Sequence, residues 1–169
     1  QRTSGFQGDQ VKDKTGFSFV FSEQGASASL IAAAKFLYAI ARMTDCKGED
    51  SDAVGAYTQV VLKDMLLQEA TSSYVETWVS LPYHKRPASW SKYDDPGCIL
   101  RFNLYGHPLA GLCWGIHCSS VIITWAGFEK TNGWECLYAR RKEQFFLSVY
   151  VDDFKIAGEK KKTTEMWKR

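Results

Sequence analysis

This chain has no long apolar run, no paired-cysteine signature and little net charge. No stretch approaches the about 20 consecutive apolar residues of a membrane span, and its first residues lack a charged-then-apolar leader. The expectation is an intracellular protein with no membrane partner. The five cysteines (Cys46, Cys98, Cys113, Cys118 and Cys136) are odd in number and contain no Cys-x-x-Cys. They offer neither a disulfide framework nor a zinc site and read as reduced thiols. His107, Cys113, His117 and Cys118 lie close in sequence but match no zinc template, so buried or helix-surface places are expected for them. A net charge of +2 does not by itself argue for nucleic acid. The basic residues are bunched, however, as Lys85-Arg86, Arg140-Arg141-Lys142 and Lys160-Lys161-Lys162. Runs of this kind are usually solvated faces, and in a nucleic-acid enzyme they supply sequence-independent phosphate contacts.

What is present is enough for one domain with a core. The chain has 169 residues, 45% hydrophobic and 14% aromatic, which excludes a disordered polymer. No internal repeat, low-complexity tract or interdomain linker interrupts it. Thr15 to Phe21 alternates and reads as a strand. Ser27 or Ser29 is placed to cap a helix running to about Met43, with Leu30, Ala33, Ala34, Leu37, Ile40 and Ala41 at the helical period. Cys46 to Asp50 is polar and reads as a turn. Glu76 to Leu81 reads as a strand ended by Pro82, and His84 to Pro96 as a loop. A second helix is expected from about Leu109 to Trp125, then a Gly-containing turn and strands around Leu137 and Phe145. Thr163 or Thr164 should start a last helix. Strands and helices mix without regular β-α-β alternation, which suggests α+β with an antiparallel sheet.

The most informative stretch is Tyr150-Val151-Asp152-Asp153, which follows the apolar run Phe145 to Val149. The chain then resumes with Phe154-Lys155-Ile156-Ala157 and stops at Gly158, so a β-hairpin with the acids at or beside its tip is the simplest geometry. Adjacent acids there are most often a solvated turn, because Asp favours turns. They would also repel each other and lose hydration if buried, a cost that a divalent cation offsets. Oxygen ligands of this kind suit magnesium. A third acid, Asp52, stands in Asp52-Ala53-Val54-Gly55-Ala56-Tyr57. Three carboxylates from two segments can hold two metal ions about 4 Å apart for in-line phosphoryl transfer.

These residues resemble a known family. Asp52 with an aromatic five positions on, and Tyr150-Val151-Asp152-Asp153 downstream, look like motifs A and C of reverse transcriptases. Between them, Cys98 to Gly106 and then Trp114 resemble the Leu-Tyr-Gly segment of motif B in copia-type retrotransposons. Trp125 to Phe128, Cys136-Leu137-Tyr138 and the terminal hairpin continue the pattern in order. The likeness is dense from about Tyr74 to Gly158 and thinner before that. It implies a polymerase palm-like antiparallel sheet packed against helices, with partial fingers and no thumb, as a fragment of an RNA-directed DNA polymerase. Fingers-like parts would be about 1–50 and 63–108, palm-like parts about 51–62 and 109–169.

The resemblance implies roles. Asp52, Asp152 and Asp153 would be catalytic and would bind two magnesium ions, or manganese, with the Ala53 carbonyl a further ligand. Tyr57 would be the steric gate that rejects a ribose 2′-hydroxyl, and Gly55, Ala56 and Leu109 would border the nucleotide. Tyr150, Val151 and Gly106 would meet primer and template. Implied partners are an RNA or DNA template with its primer, a dNTP, and integrase and ribonuclease H regions of a parent polyprotein. A cytoplasmic particle or the nucleus would be the setting.

Several positions depart from the family pattern. Leu109 stands where a nucleotide-contacting glutamine is usual, Pro108 where a lysine is, and Lys155 where an apolar residue is. Glu49 and Asp50 occupy a normally apolar strand, and Arg2 is the only candidate for a triphosphate-binding basic strand. The alternative reading is a degenerate, inactive retroelement remnant that folds or binds without polymerising. Another two-metal nucleotide enzyme, such as a cyclase or an RNA-templated RNA polymerase, fits the Leu104-Tyr105-Gly106 segment and Tyr57 less well.

Overall fold

In the computed structural model, residues 31–63, 76–107 and 109–167 are described. The expected strand over 15–21, the caps Ser27 and Ser29, and Arg2 and Pro108 lie outside them. Among the described residues, five strands form one antiparallel sheet: β1 (Cys46–Asp52), β4 (Glu129–Lys130), β5 (Leu137–Arg140), β6 (Phe145–Tyr150) and β7 (Asp153–Glu159), in the order β1-β7-β6-β5-β4. A separate two-stranded ribbon pairs β2 (Trp78–Ser80) with β3 (Gly97–Ile99). The α-helices among the described residues are α1 (Ile31–Ala41), α2 (Ala110–Thr124) and α3 (Lys160–Met166). Mixed helices and an antiparallel sheet are compatible with the α+β class.

Strand alternation splits the sheet into two packed faces. Phe145, Leu147, Val149 and Ile156 bury one face in the main core with Trp114, Cys118 and Ile122 of α2 and Met166 of α3. Phe146 and Ala157 point the other way and pack with Ala33, Leu37 and Phe36 of α1. Close approach on both faces needs glycine. A Cβ at Gly48 would stand 2.9 Å from the Ala41 Cβ, and one at Gly158 only 2.3 Å from the Phe145 ring.

Two expectations are corrected. Cys46 to Asp50 is not a turn but most of β1, paired residue for residue with β7 from Cys46↔Glu159 to Asp52↔Asp153. An edge strand tolerates charge, because its outer side meets water. Here the charges also find partners: Lys155 lies opposite Asp50 and ion-pairs with it, with its ammonium 4.2 Å from the Tyr38 ring centre. Burial opposes the charge on Lys155, but bonding to Asp50 and Tyr38 outweighs it and raises its pKa above the ordinary value. The departures at Lys155 and Asp50 therefore compensate each other, while Glu49 pairs with Lys47.

The last helix begins at Lys160, earlier than the threonines suggested. Thr163 does not cap it; its hydroxyl donates back to the Glu159 carbonyl at 2.9 Å, the bond of a threonine already inside a helix.

The other elements agree with expectation within a residue or two, apart from β3 and β4, which are additions. Helix α1 ends at Ala41 rather than Met43, and α2 falls within 109–125. The loop after Pro82 contains two short 3-10 turns, Tyr83–Lys85 and Ala88–Trp90. Among the described residues no helix is long and apolar enough to cross a membrane.

Candidate functional site

The site begins with the turn between β6 and β7. Only Val151 and Asp152 separate the strands, and Tyr150 pairs with Asp153. Val151 has φ 59°, the left-handed region that a β-branched side chain rarely enters. Such a residue costs about 1–3 kcal/mol and persists only where its surroundings hold it. Here three segments do so. The Trp114 indole donates to the Val151 carbonyl at 2.5 Å. The Ala53 amide donates to the Asp152 carbonyl at 2.8 Å, tying the end of β1 to the tip. The Tyr105 hydroxyl donates to Asp152 Oδ2 at 3.3 Å.

Register then sets the acids. Asp52 is the direct cross-strand partner of Asp153, and Asp153 of Tyr150. Directly paired residues share a face, so Tyr150, Asp153 and Asp52 form a row across three strands. They lie on the α1 face, two residues beyond the Asp50–Lys155 pair. Opposed like charges destabilise a sheet, with Cβ atoms about 4.5–5.5 Å apart. Asp152 sits in the turn and its carboxylate is held by Tyr105. Among the described residues, no three His, Cys, Asp or Glu side chains gather into a ready-made cage. Magnesium does not require one, since it is usually held by one or two carboxylates plus waters and substrate phosphates. An opposed carboxylate pair with a third acid at the adjoining turn fits that mode in donor chemistry. The Ala53 carbonyl accepts the Ala56 amide at 3.1 Å and keeps one lone pair.

The loop after β1 sets Tyr57. Gly55, at φ 64°, starts the 3-10 turn Ala56–Gln59, and Thr58 returns its amide and hydroxyl to the Gly55 carbonyl at 2.9 and 2.7 Å. Ala56 is fully buried, which fixes the turn and leaves Tyr57 half-buried beside it. The Tyr57 ring packs on that of Tyr105, centroids 4.3 Å apart. Burial, then the Asp152 charge, raises the pKa of both phenols, and the Asp52 charge also reaches Tyr105.

No family model, curated protein or solved structure matches the chain.

Tyr105 and Trp114 were part of the motif pattern but carried no assigned role, although both touch the hairpin tip. Their contacts span 47 and 37 residues, and only the fold reveals them. Asn103, fully buried, anchors the loop that presents Tyr105: its amide donates to the Ala110 carbonyl at 2.9 Å and its oxygen accepts the Leu104 amide at 3.0 Å. Gly106, at φ 91°, allows the bend that follows.

Leu109 and His107 also make contacts inside the fold. Leu109 is the first-turn boundary of α2 and packs against the main core. Its amide donates to His107 Nδ1 at 3.2 Å, so the proton is on Nε2, 3.1 Å from the Thr77 hydroxyl. Burial lowers the His107 pKa from its ordinary 6.5. A lowered histidine pKa means the unfolded chain binds the extra proton first. Stability should therefore be full above about pH 6.5 and decline as pH falls towards the depressed value. Denaturant midpoints for parent and His107→Gln across pH 5–8 check this, and an equal acid slope in both would contradict it. Leu109→Gln should lose about 1–3 kcal/mol by burying an unpaired amide. A variant as stable as the parent would contradict this.

Proposed function

We propose that the chain is the palm and partial fingers of a copia-type RNA-directed DNA polymerase, with Asp52, Asp152 and Asp153 as its nucleotidyl-transfer centre. The observation that carries the reading is the direct pairing of Asp52 with Asp153 beside a two-residue hairpin, in a chain whose motifs keep the family's order. Two acids brought face to face across a sheet cost stability without a cation, and such a cost is common where a site serves chemistry. Bound divalent cations would lower the pKa of a primer hydroxyl and neutralise the triphosphate.

The chain's own residues do the rest by positioning, as phosphoryl transfer asks. Asp52 and Asp153 offer oxygens from adjacent strands, and Asp152 offers one from the turn. Trp114 and Ala53 hold the tip still. Tyr150, exposed in the same row, presents a ring to the primer end, and Tyr57 stands beside the nucleotide sugar.

Manganese titration followed by electron paramagnetic resonance tests the reading on this chain. Binding should be displaced by magnesium and lost in Asp52→Asn/Asp153→Asn. Unchanged binding in that variant would remove the site. A second expected result concerns sugar choice. Tyr57→Val in the full-length parent should relax deoxy-over-ribo preference by about 10- to 200-fold, the worth of one group in a pocket. Unaltered preference in single-nucleotide incorporation would make Tyr57 a packing residue.

A further inference from the structure

Tyr105 joins two parts of the site that the motifs treat as separate. Its hydroxyl donates to Asp152 Oδ2 at 3.3 Å, and its ring lies 4.3 Å from that of Tyr57. Asp152 lies in the turn between β6 and β7, outside the strand pairing. Tyr105 itself is half-exposed, but its loop is fixed from inside by the fully buried Asn103. A carboxylate with one oxygen bonded this way keeps the other for a ligand. Hydrogen bonds to a ligating group from outside the coordination shell orient it, and losing one typically costs 10–100-fold in metal affinity.

We propose that Tyr105 is a positioning residue that orients the Asp152 carboxylate for a divalent cation and, through its ring contact, couples that carboxylate to Tyr57. The proposal rests on the polymerase reading above. It assigns the hydroxyl and the ring separate tasks: the hydroxyl sets Asp152, and the ring sets where Tyr57 stands. A nucleotide sugar pressing on Tyr57 would therefore be felt at Asp152.

The two tasks come apart by substitution. Tyr105→Phe keeps the ring and removes the hydroxyl, whereas Tyr105→Leu removes both. Manganese titration of this chain should show affinity falling about 10-fold in Tyr105→Phe, with thermal stability in chelator close to the parent's. Deoxy-over-ribo preference in the full-length parent should be kept by Tyr105→Phe and relaxed by Tyr105→Leu. Parental manganese affinity in Tyr105→Phe, alongside lost binding in Asp52→Asn/Asp153→Asn, would overturn the proposal and leave the polymerase reading standing. Parental affinity in all of these variants would overturn both. Equal sugar preference in Tyr105→Phe and Tyr105→Leu would overturn the coupling to Tyr57.

Discussion

Asp153→Asn should make the chain more stable and less able to work. In metal-free buffer the substitution removes one of two opposed charges, since Asp153 faces Asp52 across β7 and β1. Relief of a like-charge cross-strand pair is worth about 0.2–1 kcal/mol, or roughly 0.4–4 °C in Tm for a chain of this size. At the proposed metal site the same substitution withdraws a ligand oxygen, so magnesium should no longer raise Tm. Nucleotide addition by the full-length parent should fall on the order of 100-fold or more, the scale of losing one preorganised electrostatic element. Differential scanning calorimetry with and without magnesium, beside a single-turnover assay, measures both signs. A variant that is destabilised without metal would show the acids to be partners of some other group, not of each other.

Gly158→Ala carries the largest expected cost in stability. The added Cβ would stand 2.3, 2.6 and 2.8 Å from atoms of the Phe145 ring. Phe145 has no exposed surface, so the ring cannot swing away. Overpacking of this kind costs about 3 kcal/mol, which lowers Tm by roughly 6–12 °C. Because β7 carries Asp153 at its other end, a shift of the strand also disturbs the pairing with Asp52. Gly97→Ala is the comparison: its Cβ would meet only ordinary contacts, at 3.5 Å from the Val79 carbonyl and 3.8 Å from Trp78. Urea unfolding of the two should differ by several-fold in cost. A Gly158→Ala chain as stable as the Gly97→Ala chain would mean that Phe145 is less confined than its packing indicates.

Much of this was legible because local patterns and the fold agreed. The apolar run Phe145 to Val149, the two-residue tip and the return through Ala157 place the hairpin directly. The helical spacing of Ala110, Cys113, Trp114, Cys118 and Ile122 likewise gives α2, whose buried stripe they form. Reading failed where a residue's partner is far along the chain. β1 looked like a turn because Lys47, Glu49 and Asp50 carry no apolar signal; the strand exists by pairing with β7, and Lys155 answers Asp50 from 105 residues away. Thr163 resembled a cap because threonine serves both as a cap and as an interior residue bonding backwards, and only Glu159's place decides between them.

The candidate site divides in the same way. Residue types single out Asp52, Asp152 and Asp153 as candidates, but not which of them face each other. Pairing Asp52 with Asp153 and giving Asp152 to Tyr105 is a matter of register and of a loop held by Asn103. His107, expected in a buried or helix-surface place, is buried, and its ring nitrogens meet the Leu109 amide and Thr77, partners that spacing alone does not name.

The proposed activity is nucleotidyl transfer by the catalytic part of an RNA-templated DNA polymerase. Its most direct measurement is addition of one labelled deoxynucleotide to a DNA primer annealed to RNA, by the full-length parent in magnesium. The account predicts templated addition that chelator abolishes and that Asp52→Asn and Asp153→Asn each reduce on the order of 100-fold or more. No addition by a parent protein that binds manganese at Asp52 and Asp153 would contradict it, and would make the chain a folded remnant that has kept its acids without the reaction.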